Sequence, residues 1–227
     1  MKSRKLFQAF IPILLLSLSF PLVYGARDYT LHFNTGKYNL AENARDFVNN
    51  FKNNPLSETD AVFYCIVQFS NIPDGKQRAL LAENGIVLYD YIPGMAYYAS
   101  IASDANIGLL SDMNARSVSE ILPEYKLDFS LFTGNYPGHA LRQDQTIELF
   151  IHFFPQVDEA KLALTLKGKG ISVVSGSYMP ASLVVNCPLN QIDWLVSLPY
   201  IIYVEPIHAP PVKENYTGRT QHRSSNL

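Results

Sequence analysis

Two stretches of the chain carry one pattern of apolar and polar positions. In the later stretch, Ile147–Phe154 is an apolar run of strand length, and Pro155 turns it. Helical spacing follows over Val157–Leu166: Leu162, Ala163 and Leu166 share a face, while Lys161, Lys167 and Lys169 stay in water. Glycines 168 and 170 end that helix. Two strand-like runs, Ile171–Tyr178 and Ser182–Cys187, then flank Met179-Pro180-Ala181. A second helical stretch, Asn190–Leu198, has its stripe at Ile192, Leu195 and Val196, and Pro199 stops it before the last strand, Tyr200–Glu205.

The earlier stretch repeats this grammar. It reads strand Phe63–Phe69, helix Lys76–Glu83, Gly85, strand Ile86–Ile92, the turn Pro93-Gly94, strand Met95–Ile101, helix Asp104–Asn114 and strand Ser117–Leu122. Asp74 offers an oxygen to the free amides of the first helix, whose Leu80 and Leu81 are expected to face the sheet. In the second helix Ile107, Leu110 and Met113 or Asn114 form the apolar stripe. Landmarks recur at a nearly constant offset: Phe63 with Ile147, Gly85 with Gly170, Pro93 with Pro180, Pro123 with Pro206. The order β-α-β-β-α-β, used twice, is the split βαβ pattern of ferredoxin-like folds and marks an internal duplication. The fold expected is therefore α+β, with two tandem ferredoxin-like domains, each an antiparallel sheet with two helices on one face. Strands one and three should be central, placing Ile66, Phe69, Tyr98, Phe150 and Val184 inside the sheets.

The remaining segments divide the chain as 1–25, 26–60, 61–124, 125–146, 147–206 and 207–227. Residues 1–25 read as a signal peptide: a basic start at Lys2, Arg4 and Lys5, an apolar Leu6–Phe20, and a small-residue cleavage site after Gly25. That apolar run is shorter than the roughly 20 residues of a spanning helix. The expected location of the mature chain is thus secreted or periplasmic, with no membrane contact after signal removal. Residues 26–60 form a polar lead-in, with a weak strand at Tyr29–Phe33 and helical spacing at Leu40, Ala44, Phe47, Val48 and Phe51. Between the copies, Thr133–Gly138 is rich in turn residues and reads as an irregular connector. After Pro206 periodicity ends, and 207–227 reads as a flexible tail that cannot bury enough surface to fold alone.

Composition narrows the function. A net charge of -2 gives no footprint for nucleic acid. Two cysteines, Cys65 and Cys187, make no disulfide framework and read as small buried residues. The five histidines are scattered at His32, His139, His152, His208 and His222, and neither a glycine-rich phosphate loop nor a metal-spaced cysteine pair occurs. Asp158-Glu159 stands where a helix begins, a structural use of carboxylates. Asn215-Tyr216-Thr217 has the pattern of a glycosylation sequon. No catalytic residue, metal or cofactor is expected.

Each copy resembles the propeptide domain of subtilisin-like serine proteases, an inhibitor domain of ferredoxin-like fold. In the first copy the resemblance is carried by Tyr64–Phe69, Ile86–Pro93 and Ala96-Tyr97-Tyr98-Ala99, and in the second by Ile201–Pro206. Gly218–Ser224 is similar to the segment just ahead of the catalytic domain in large exported bacterial subtilases. The resemblance implies the N-terminal pro-region of a secreted serine protease, acting as a folding chaperone and as an inhibitor that binds in the cleft. The implied partner is a subtilisin-like catalytic domain, in cis or in trans. The positions carried over are Tyr203, Val204 and Glu205, on the sheet edge nearest the enzyme. Ile207, His208, Ala209, Pro210, Pro211 and Val212 would be the segment entering the cleft. The catalytic Asp, His and Ser motifs of subtilases do not occur in this chain, so it reads either as part of a longer precursor or as a freestanding inhibitor. Two other classes stay open: a small-molecule regulatory module and an envelope scaffold of tandem ferredoxin-like domains.

Overall fold

The computed structural model describes residues 27–51, 62–176 and 179–209. The segment read as a signal peptide and all but three residues of the tail lie outside them. Described elements, in chain order, are β1 (Leu31–Phe33), β2 (Gly36–Tyr38), α1 (Ala44–Asn50), β3 (Val62–Phe69), α2 (Gly75–Glu83), β4 (Ile86–Ile92), β5 (Ala96–Ala102), α3 (Gly108–Asp112) and β6 (Ala115–Glu120). Then come α4 (Pro123–Lys126), α5 (Phe129–Phe132), β7 (Thr146–Phe153), α6 (Glu159–Lys167), β8 (Ser172–Gly176), β9 (Ser182–Pro188), α7 (Ile192–Ser197) and β10 (Ile201–Pro206).

The protein is α+β, with two four-stranded antiparallel sheets in the orders β4-β5-β3-β6 and β10-β7-β9-β8. Helices pack against each, as in tandem ferredoxin-like units. Within each unit the first and third strands are central, so Ile66 and Phe69 (β3), Tyr98 (β5), Phe150 (β7) and Val184 (β9) all lie inside the sheets.

Local chemistry explains where the helices start. Asp74 accepts from the Gln77 amide at 2.8 Å while the Gln77 side chain accepts from the Asp74 amide at 2.9 Å, a reciprocal cap that satisfies two donors. Asp158 caps α6 through the amides of Ala160 and Lys161. Gly85 and Gly170, equivalent in the two copies, both have positive φ (+82° and +76°) at the turn from helix to strand.

The helix-side cores hold Cys65, Val67, Phe69, Leu81, Ala99, Ile101 and Leu110 in the first unit. The second has Leu149, Ile151, Leu162, Leu166, Val185, Cys187, Leu195 and Val196. Both cysteines are free and buried. Only half of the Leu80–Leu81 expectation holds: Leu81 is buried and Leu80 is exposed, because neighbours on a helix point about 100° apart. The helix expected over Asp104–Asn114 contracts to α3. The connector is more ordered than its turn residues imply. It forms α4 and α5, and its Leu127 and Leu131 enter the second core.

The lead-in also has a place. The β1–β2 hairpin lies on the outer face of the first sheet, where Leu31 and Leu40 join Ile66, Ile92 and Ala96, and Phe33 stacks on Tyr125 at 4.7 Å. Gln68, fully buried, donates to the carbonyls of Tyr29 (2.7 Å) and Gly94 (2.8 Å) and accepts from Arg116 (2.7 Å). Gly94 is required there: a β-carbon would stand 2.7 Å from the Thr30 carbonyl oxygen, and its φ is +101°. Phe154 of the second unit fills what remains of that face, against Tyr64 (4.6 Å), Tyr89 (5.1 Å) and Tyr98 (6.4 Å).

Candidate functional site: the outer face of the second sheet

The two sheets differ in one respect that bears on binding. From Cys65 to Phe69 every residue of β3 is buried, because helices cover one face and the hairpin with Phe154 covers the other. Along β7 burial alternates: Ile147, Leu149, Ile151 and Phe153 are buried, while Thr146, Glu148, Phe150 and His152 are only half so. A period of two is what a sheet covered on one side produces.

That second face is built from paired strand positions. Phe150 lies opposite Val184 on one side and Glu205 on the other, and His152 lies between Ser182 and Tyr203. Glu148 pairs with Asn186, and Ser172 of the edge strand continues the row. An apolar centre of Phe150 and Val184 is thus rimmed by polar side chains, the usual anatomy of a protein contact surface. The imidazole of His152 stands edge-on to Phe150 at 4.7 Å, and its Nδ1 meets the Ser182 hydroxyl at 2.8 Å. Burial pulls the His152 pKa down, against the opposing pull of Asp90. Glu148 is tied to Arg142 by a salt bridge at one edge.

β10 carries this face toward the tail. Tyr203 is half-buried; its hydroxyl meets the Asn34 side chain and, at 3.5 Å, Asp128, and burial pushes its pKa up to about 12. For Asp128, burial pulls upward, but bonds from the Ser130 hydroxyl and amide outweigh it and hold the carboxyl low. The Glu205 carboxyl is raised, first by burial and then by Asp128, with His208 at 3.8 Å opposing. Ile207 extends the ladder by donating to the Glu148 carbonyl at 3.1 Å, while its own carbonyl contacts His139 Nε2 at 2.7 Å. His208 and Ala209 are exposed.

Of the residues carried over from the resemblance, Tyr203, Glu205, Ile207, His208 and Ala209 therefore run together along the end of β10. Val204 is the exception. Its side chain is buried in the helix-side core, and the edge it was expected to offer is closed by Leu127, a bridge partner, and by the Asp128 amide donating to the Val204 carbonyl at 2.9 Å. Pro210, Pro211 and Val212 lie outside the described residues. Phe150, Val184, His139 and Asp128 complete the surface and were not legible as site residues. The register between β7 and β9 puts Phe150 and Val184 on one face, but which face stays open depends on packing. Asp128 had a local signal, since Asp before Phe129-Ser130 is a short capping pattern.

Among the described residues, no three His, Cys, Asp or Glu side chains gather as a metal site, and no helix is long and apolar enough to cross a membrane. A family model described as a domain of unknown function (DUF8729) matches residues 32–122. That span takes in most of the hairpin, α1 and the whole first sheet. Neither a curated protein nor a solved structure matches the chain.

Proposed function

We propose that the chain is the pro-region of an exported subtilisin-like serine protease. In this reading the second unit docks on the enzyme, and the tail beyond Ile207 follows into its substrate cleft. The observation that carries the reading is the difference between the sheets: the first is covered on both faces, while the second keeps a half-open face whose edge strand runs into the tail. Docking by the outer sheet face with the C-terminal extension in the cleft is the arrangement that the resemblance implies. An extended segment gains main-chain hydrogen bonds from an enzyme edge, and the sheet behind it makes that contact effectively intramolecular. Glu205, reachable at the rim, is suited to the amides of an enzyme helix N-terminus. The first unit serves as a base that holds the second through Phe154.

The test is inhibition of a cognate catalytic domain by the purified chain from residue 26 onward. Slow, tight inhibition is expected, and it should be lost when residues 207–227 are removed. Phe150→Glu should weaken it by a factor of about ten or more, the cost of burying an unpaired charge in the contact. Inhibition that survives both changes would refute the docking mode. Absence of binding to the cognate enzyme would refute the pro-region reading itself.

A further inference from the structure

A cleft of about 310 Å³ lies where the two units meet, at the start of β3, the end of β6 and the turn after α7. Its walls include Phe63, Tyr64, Ile121, Leu122 and Pro199, and Lys126 lines it. We propose that this cleft binds a small organic monocarboxylate with an apolar body, the carboxylate held by Lys126. The proposal is independent of the pro-region reading and uses none of the docking face.

Lys126 is the reason for a carboxylate. Its side chain is almost wholly buried, and its Nζ donates to the carbonyls of Val196 (2.8 Å) and Leu198 (2.7 Å) at the end of α7. An ammonium has three protons to donate, so these two bonds leave one. Among the described residues no carboxylate forms a salt bridge with it. Buried charges are as a rule paired, and a ligand carboxylate would supply both the counter-charge and the third acceptor. The walls explain the rest of the ligand: two aromatic rings, Ile121, Leu122 and proline offer an apolar sleeve. Its volume is at the lower end of the roughly 300–1,000 Å³ usual for ligand clefts.

Glu120, exposed, also lines the cleft. Its charge limits the ligand to a single negative charge, and it disfavours a second carboxylate. Among the described residues, the other titratable residue lining the cleft is Tyr64; α7 and the turn after it contribute Ser197 and Pro199, which carry no charge. Because the walls come from both units, an occupant would also strengthen their packing. Burial lowers the Lys126 pKa to about 8, so the pairing should weaken in more alkaline solution.

The test compares acids with alcohols of the same shape, hexanoate with hexanol and phenylacetate with phenylethanol, by calorimetry and thermal shift on the chain from residue 26 onward. At neutral pH each acid should bind about tenfold more tightly than its alcohol, the worth of one charge-assisted hydrogen bond. That preference should shrink at about pH 9.5, where Lys126 has lost its proton. Lys126→Met should abolish it, and Glu120→Gln, an exposed change that leaves the fold alone, should tighten acid binding severalfold. Should Lys126→Met fail to fold, the pH series and Glu120→Gln still decide. Equal binding of acid and alcohol, or no binding of either at millimolar concentration, would overturn the proposal. So would an acid preference indifferent to both pH and Glu120→Gln.

Discussion

Single residues in this protein act where the chain brings distant segments together, and Lys126 is the sharpest case. Sequence alone places it in a turn-rich connector, where a lysine is ordinarily solvated; the fold buries it against the end of α7. Burial disfavours the ammonium and lowers its pKa from 10.5 to about 8. The sign of the linkage follows. Below about pH 8 both folded and unfolded states hold the proton, and folding carries the full cost of burying the charge. Between about pH 8 and 10.5 the folded state has released its proton while the unfolded state keeps it, so stability rises with pH across that window and then levels off. The rise should amount to on the order of 3 kcal/mol. Urea unfolding of the wild type and Lys126→Met across that range isolates it: the stability difference between the two should shift in favour of the wild type as pH rises. A constant difference would contradict the account. Gly94 makes the same point without charge, since only a residue lacking a β-carbon lets the Thr30 carbonyl come so near.

At the scale of elements, the sheet edges are managed by side chains and connectors. Asn43 closes β6: its amide donates to the Val118 carbonyl at 2.9 Å, and its side-chain oxygen accepts from the Val118 amide at 2.9 Å, standing in for a neighbouring strand. Leu127 and Asp128 do the same for β10. An edge left with unpaired groups templates association. Asn43→Ala should therefore lower stability by about 1–2 kcal/mol, two backbone groups losing their partners. It should also speed amide exchange at Val118, read by hydrogen exchange with NMR. Unchanged protection there would show that Asn43 does not hold the edge. Unlike α4 and α5 of the connector, the helices inside the two repeats were legible from local pattern, since capping aspartates, apolar stripes and positive-φ glycines act within a few residues. Their lengths were less so: α3 covers five of the eleven residues with helical spacing, because a stripe marks the buried face and not where backbone bonding stops.

For the whole molecule, the decisive contact is Phe154, which is buried among tyrosines 64, 89 and 98 of the other unit and is aided by a hydrogen bond from Tyr89 to Gln156. Phe154→Ala should cost about 3–5 kcal/mol and uncouple the units, so that calorimetry shows two transitions in place of one. A single cooperative transition in the variant would mean that the hairpin and connector suffice to join them. The sequence by itself determined the α+β class and the central place of the first and third strands in both sheets, because alternation at period two and stripes at period 3.6 are written locally and the split βαβ connection leaves few ways to arrange four strands. Tertiary structure alone decided which sheet face stays open, that the lead-in belongs on the first sheet, and that Lys126 is buried. Those outcomes depend on contacts between residues far apart in the chain, such as Gln68 with Tyr29 or Lys126 with Val196, and no local period encodes a partner at that distance.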